Sequence, residues 1–286
     1  MTRPPLANAL TVDVEDWFQV QALAGAVPRT AWEEMPRRVE ANTERLLASF
    51  ARAGVHATFF TLGWVAERHP ALIARIVAGG HELASHGYGH ERVDGLGPAA
   101  FRADIRRARG VLEDAGGVAV NGYRAPTFSL TAATPWAFAI LAEEGYRYSS
   151  SVYPVKHDLY GMPEAPRLPY RPAAGPLWEI PLTAVWLLGR NWPCSGGGWF
   201  RLLPYPVFRL GLTRFQRAEA AAGVFYTHPW EYDPQQPRLD VRGLARFRHY
   251  VNLSRTAGRL ERLLGDFAWD RMDRVFAGVL EQPHGA

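Results

Sequence analysis

Apolar residues along the chain fall into short blocks punctuated by glycine and proline, and the blocks alternate between strand-like and helix-like spacing. Ala9 to Val14 is a compact apolar, β-branched run that ends in acids, the pattern of a buried strand with a polar C-terminal mouth. From Pro36 to Ala53, apolar positions at Val39, Leu46, Leu47 and Phe50 predict a helix ended by Gly54. Val55 to Phe60 predicts a second strand. Pro70 to Ala78 predicts a helix closed by Gly79 and Gly80, and His81 to Ala84 a strand that delivers His86. The cycle repeats with a helix over Pro98 to Ala115, a strand at Gly122 and Tyr123, a helix over Pro135 to Glu144 and a strand over Tyr146 to Ser149. Such alternation predicts parallel βα units and an α/β fold. In these folds active residues gather where strand C-termini meet their loops, and Asp13, His86, Arg124, Ser149 and His228 each follow a strand-like run.

Tyr153 to Gly198 breaks the rhythm with eight prolines and predicts a loop-rich insertion, with Leu177 to Val185 as a strand inside it. Val224 to Tyr226 predicts the last strand, and Arg242 to Leu264 an amphipathic C-terminal helix. At 286 residues, 48% hydrophobic, the chain can bury a large core. The net charge is only +4, and Arg102, Arg106, Arg107 and Arg109 recur at helical spacing as a solvated face, so nucleic acid is not an expected partner. Cys194 is the only cysteine, which excludes an intrachain disulfide and a cysteine-based zinc site. No apolar stretch approaches the ~20 residues a membrane span needs, and Met1 to Asn8 carries no signal-peptide pattern. The expected location is the cytoplasm, with the inner face of the membrane as a refinement.

The chemistry concentrates in His86-Gly87-Tyr88-Gly89-His90 and Asp13-Val14-Glu15-Asp16. Two histidines four apart can share a helical face, but two glycines between them would cost a helix about 2 kcal/mol relative to alanine. A loop is therefore expected, bringing both imidazoles onto one ion. An acidic side chain would complete a two-histidine, one-carboxylate set with open positions, suited to zinc or a neighbouring divalent metal in hydrolysis. In an extended segment Asp13 and Glu15 share a face, which favours Glu15 as the carboxylate; Asp16 takes the role if the chain turns just after the strand. His81 is read as structural. Gly196-Gly197-Gly198 lacks the Lys-Ser/Thr of a phosphate loop.

Thr-Val-Asp-Val-Glu-Asp (11–16), Ser-His-Gly-Tyr-Gly-His (85–90), Arg-Ala-Pro-Thr-Phe-Ser (124–129) and Tyr-Thr-His-Pro (226–229) together resemble the NodB-type polysaccharide deacetylases of carbohydrate esterase family 4. Gly-Gly-Gly-Trp-Phe-Arg-Leu-Leu-Pro-Tyr (196–205) and His-Tyr-Val-Asn-Leu-Ser-Arg-Thr (249–256) resemble, more narrowly, the branch encoded with exosortase and exopolysaccharide-synthesis genes. The resemblance implies a distorted, incomplete (β/α) barrel in one deacetylase domain over 1–286. Its barrel core would occupy about 8–152 and 177–230, its insertion about 153–200 and its C-terminal helical extension about 240–286. It also implies a metal, Zn2+ first with Co2+ or Ni2+ as alternatives, held by His86, His90 and Glu15 or Asp16. The substrate would be an N-acetylated oligo- or polysaccharide, either an exopolysaccharide or its lipid-linked precursor.

By the same resemblance Asp13 is the catalytic base, Arg124 orients it, and His228 is the general acid for the departing amine. The Thr127 N–H would stabilise the oxyanion, and Trp17 and Trp230 would bind sugar. Phe128 stands where the family pattern has glycine. Ser149-Ser150-Ser151 stands where relatives carry Tyr-Asp-Ser-Ser, so an acid that would raise the His228 pKa is missing, and a value near the unperturbed ~6.5 is expected. Two rivals remain: an allantoinase-like amide hydrolase on the same barrel, and a carbohydrate-binding assembly protein without turnover.

Overall fold

The computed structural model describes residues 6–282; the outermost positions of the expected domain, 1–5 and 283–286, lie outside the described residues. Its core is one parallel sheet. Strand β1 (Asn8–Val14) pairs with β2 (Thr58–Thr61), and the sheet continues through β3 (Glu82–Ser85), β4 (Gly122–Tyr123), β5 (Tyr148–Ser149) and β6 (Trp178–Glu179). An antiparallel hairpin follows, β7 (Ala184–Leu187) with β8 (Arg190–Pro193). The chain then returns as β9 (Val224–Thr227) on the other side of β1, and β10 (Trp269–Asp270) pairs with the N-terminal end of β1. All seven residues of β1 are buried, as expected for a strand covered on both faces.

Alternate side chains serve two cores. Leu10, Val12 and Val14 pack under the helices, while Ala9 joins Phe60, Ala84, Tyr148 and Tyr226 on the other face, inside the curl of the sheet. Period two therefore points Asp13 inward with Ala9 and Thr11. No strand ladder joins β6 to β9 among the described residues. That seam is bridged by Thr183, whose Oγ1 accepts from Val224 N (2.6 Å), and by Ser195 O, which accepts from Tyr226 N (2.8 Å). A Cβ on Gly196 would come within 1.9 Å of Tyr226 O, so only glycine permits this approach. The result is a curled, incompletely closed (β/α) barrel.

Helix Pro70–Ala78 falls where the sequence predicts it, and helix Val39–Ala53 ends on Gly54 in the left-handed conformation (φ 65°). Two expectations need correction. Leu177 to Val185 is two strands, because Pro181 has no N–H with which to continue the ladder; Trp178–Glu179 belongs to the barrel and Ala184–Leu187 to the hairpin. Arg242 to Leu264 is two helices, Gly243–Tyr250 and Leu253–Asp266, separated by Asn252 at φ 53°. Helix Tyr205–Glu219, β8 and β10 have no counterpart in the sequence reading.

Candidate active site and metal centre

The ends of β1, β3, β4 and β9 converge on one cavity of about 140 Å³, lined by Asp13, Glu15, His86, His90, Thr127, Tyr160, Tyr226, His228 and Trp230, among others. Glu15, His86 and His90 each offer a ligand atom, all within 4.8 Å of one another, and all three are buried. The loop between the histidines is pinned by Asp104, which accepts from Tyr88 N (3.0 Å) and lies where a Cβ on Gly87 would intrude. His86 Nδ1 lies 2.8 Å from Arg124 O, so it donates there and turns Nε2 toward the cavity. Burial pushes the His86 pKa down to about 4, against the pull of Asp13, so its ring is the neutral ligand form.

Glu15 is held at the opposite extreme. Burial alone would raise its pKa, but the charge of His90, with help from His228 and His86, brings it down to about 2. Its Oε1 accepts from Trp230 Nε1 (3.1 Å). Its Oε2 sits 2.7 Å from His90 Nε2 as an ion-pair contact, yet the pair is not aligned as a hydrogen bond and leaves this oxygen without a hydrogen-bond partner. A buried orphan carboxylate oxygen converging with two imidazole nitrogens is a donor set that fits a divalent cation.

Asp16 is placed elsewhere. Its Oδ2 accepts from Arg38 N (2.7 Å) and Val39 N (3.0 Å), and its Oδ1 from Trp17 N (2.8 Å). It satisfies N–H groups at the start of helix Val39–Ala53, so both of its oxygens are engaged and it lies outside the Glu15, His86 and His90 cluster. Trp17 is also reassigned: fully buried, with Nε1 donating to Pro36 O, it is core and presents no face to a sugar.

Asp13 Oδ1 accepts from Arg124 Nη1 (2.7 Å), and Arg124 is itself locked by Thr11 Oγ1, Ser150 O and Ser150 Oγ, with its guanidinium over the Phe60 ring. This leaves Asp13 Oδ2 facing His228 Nε2 at 3.9 Å across the cavity. His228 stacks on Trp230, and Trp230 stacks in turn on His249 (ring centroids 4.5 Å apart). Trp230 thus lines the cavity while orienting Glu15.

The sequence reading missed Glu231. Its Oε2 lies 3.2 Å from His228 Nδ1, an ion-pair contact, and its Oε1 accepts from Arg201 Nε (2.7 Å). Burial alone would lower the His228 pKa, but the carboxylate of Glu231, with those of Glu15 and Asp13, raises it to about 9. The expected value near 6.5 is therefore overturned. Ser149 is engaged elsewhere: its hydroxyl donates to Ser151 Oγ (2.8 Å) beside buried Glu179, which accepts from Ser151 N and Val152 N. The faint signal for Glu231 was its i+3 spacing after His228, the capping-box pattern on a residue that rarely caps. His81 is structural as read, with Nδ1 accepting from Ala57 N.

Thr127 and Phe128 adopt φ of 56° and 49°. Phe128 thus takes the left-handed conformation that a glycine would adopt freely, at a cost of roughly 1–2 kcal/mol.

Residues 30–149 match the model of the polysaccharide deacetylase family, and residues 150–277 match a domain of unknown function (DUF3473). Over 140 residues the chain is 26% identical to a peptidoglycan deacetylase of Helicobacter pylori, covering 46% of this chain and 47% of that protein. Over 84 residues it is 31% identical to a peptidoglycan-N-acetylglucosamine deacetylase of Bacillus cereus, covering 29% and 30%. The chain thus spans less than half the length of these curated relatives. A Mycobacterium smegmatis structure, provisionally assigned as a polysaccharide deacetylase, superposes with a TM-score of 0.62 at 21% identity, covering 100% of this chain and 96% of that one, which establishes the fold. Across residues 30–149 the chain is thus similar to the polysaccharide deacetylases, and over its whole length it has the fold of the Mycobacterium smegmatis protein. Both matched segments build the same barrel, since β6, β9 and β10 come from the second.

Proposed function

We propose that this protein is a metal-dependent deacetylase that hydrolyses N-acetyl groups on an amino-sugar polymer or its lipid-linked precursor. The observation that carries the reading is the convergence of three groups on one cavity: the Glu15, His86 and His90 donor set, the Asp13–Arg124 pair, and His228. Glu15, His86 and His90 would hold the ion, Zn2+ ahead of Co2+ or Ni2+, which when bound supplies Lewis-acid activation of water and carbonyl. The protein's own groups do the rest. Arg124 occupies Asp13 Oδ1, so Oδ2 takes the proton as water adds to the acetyl carbon. The Thr127 N–H meets the oxyanion that forms. His228, kept protonated by Glu231, gives its proton to the nitrogen as the C–N bond breaks, releasing acetate and a free amine. The two bacterial relatives are named as a peptidoglycan deacetylase and a peptidoglycan-N-acetylglucosamine deacetylase, which supports an N-acetylated glycan, and the resemblance of residues 196–205 and 249–256 to the exosortase-linked branch favours an exopolysaccharide processed at the inner face of the membrane. The reading as a binding protein without turnover rested on the acid missing at Ser149, and Glu231 takes away that support.

Metal analysis of the purified protein combined with free-amine release from N-acetylated chitooligosaccharides tests the proposal. One equivalent of divalent metal with amine release is expected. Full metal occupancy without amine from any N-acetylated glycan would refute it.

A further inference from the structure

Hairpin β7–β8 contributes nothing to the active cavity, and neither packing nor turn chemistry accounts for its tip. Leu187 pairs with Arg190 across a two-residue turn, Leu188–Gly189, with φ of 54° and 77°. Such a turn needs positive φ at both central positions, which Asn-Gly or Gly-Gly provides without strain. Leucine is disfavoured there by its Cβ, and burial does not compensate, because Leu188 is 86% exposed. Trp186 beside it is 51% exposed, and Leu187 and Trp192 are also exposed. Exposed apolar side chains on both faces of one hairpin end mark an interaction site.

The surrounding charge identifies the partner. Residues 184–193 contain no acid, and the Arg190 guanidinium lies 3.7 Å from the Trp192 ring centroid. Helix Tyr205–Glu219 packs beside the hairpin, where Gly211 abuts Cys194 and Val185, and it exposes Val207, Leu210 and Arg214. Tryptophan at headgroup depth, leucine beyond it and arginine for anionic lipid are the combination that membrane–water interfaces select. Among the described residues no helix is long and apolar enough to cross a membrane, and interfacial docking needs none.

We propose that hairpin β7–β8 docks the protein on an anionic membrane surface by inserting Trp186, Leu187, Leu188 and Trp192 among the headgroups. The chain beyond β8 leads through Cys194 and Ser195 to Gly196, packed on Tyr226 in the cavity wall, so the docking element is joined directly to the site.

The test is co-sedimentation of the full chain with vesicles of phosphatidylglycerol and phosphatidylcholine, against phosphatidylcholine alone, with sedimentation equilibrium in parallel. Binding to the anionic vesicles, weakened by salt and accompanied by a blue shift of tryptophan emission, is expected. Leu188→Asp should reduce partitioning about tenfold or more, a change of 1.4 kcal/mol per decade. Leu188→Asn, which suits the turn, should also weaken binding while raising the melting temperature, so lost binding cannot be put down to misfolding. Absence of vesicle binding, or undiminished binding by both variants, would overturn the proposal. So would a dimer that Leu188→Asp dissociates without any vesicle binding, since the patch would then join two copies of the chain.

Discussion

Replacing Glu231 with glutamine separates the environment of His228 from its position. In the native chain the Glu231 carboxylate, 3.2 Å from Nδ1, leads the groups that bring the histidine from 6.5 to about 9 against the effect of burial. A rise of that size corresponds to about 3 kcal/mol favouring the imidazolium. Glu15 and Asp13 share in it, but Glu15 is committed to the metal site and Asp13 to Arg124, so Glu231→Gln should remove the larger part. The sign follows from the role. A general acid must be protonated, so kcat/KM falls as pH rises through its pKa, and a lower pKa brings that fall earlier. The alkaline limb should therefore move down by about one to two units in Glu231→Gln. Stability is linked in the same direction: the raised pKa contributes fully below about 6.5, and the contribution is lost as pH rises to about 9. The variant also deprives Arg201 of its carboxylate partner and leaves it neutral acceptors, among them the carbonyls of Arg248, His249 and Val251. Loss of a buried carboxylate partner costs about 3–5 kcal/mol, so the melting temperature should drop as well. The assay is kcat/KM against pH at a temperature where both proteins are folded, with His228→Ala as the reference lacking the limb. An alkaline limb that stays in place in Glu231→Gln would refute the assignment of Glu231 as the group that holds His228 protonated.

Asp13→Asn should slow turnover about 10²–10⁴-fold while metal content by elemental analysis is unchanged; loss of the ion instead would make Asp13 a ligand. His86→Ala should lose tight metal binding, whereas Asp16→Ala should keep the ion and lower the melting temperature by removing the cap on helix Val39–Ala53, about 0.5–2 kcal/mol. Trp230→Phe keeps an aromatic ring between His228 and His249 but deletes the N–H that holds Glu15, so a chelator competition should show metal affinity about 10–100-fold weaker. Ser149→Asp should leave the alkaline limb where it is and destabilise the fold, because it sets a second carboxylate beside buried Glu179; an upward shift of the limb would place Ser149 in contact with the acid after all.

Local patterns determined much of this protein directly. Glycine and proline punctuation set the helices ending at Gly54 and Gly79, and β-branched or apolar runs set β1, β2 and β9, because these signals act within a few residues of chain. The same locality gave the histidine loop, since two glycines between His86 and His90 disfavour a helix whatever surrounds them. The choice between Glu15 and Asp16 was not local. Both are acids at one strand end, and only the arrival of helix Val39–Ala53, with N–H groups that Asp16 satisfies, turns Asp16 away and leaves Glu15 for the histidines. Trp17 and Trp230 are equally close to motifs in sequence, yet packing buries one in the core and sets the other between two histidines. The state of His228 was marked in sequence only by the i+3 spacing of Glu231. It depends on Glu231 staying ionised in a buried site, which the charge of Arg201 makes possible, and Arg201 is held in turn by the carbonyls that end helix Gly243–Tyr250. Local sequence can specify which groups are present at a strand end, but burial and charge pairing across about thirty residues of intervening chain decide which of them carry protons.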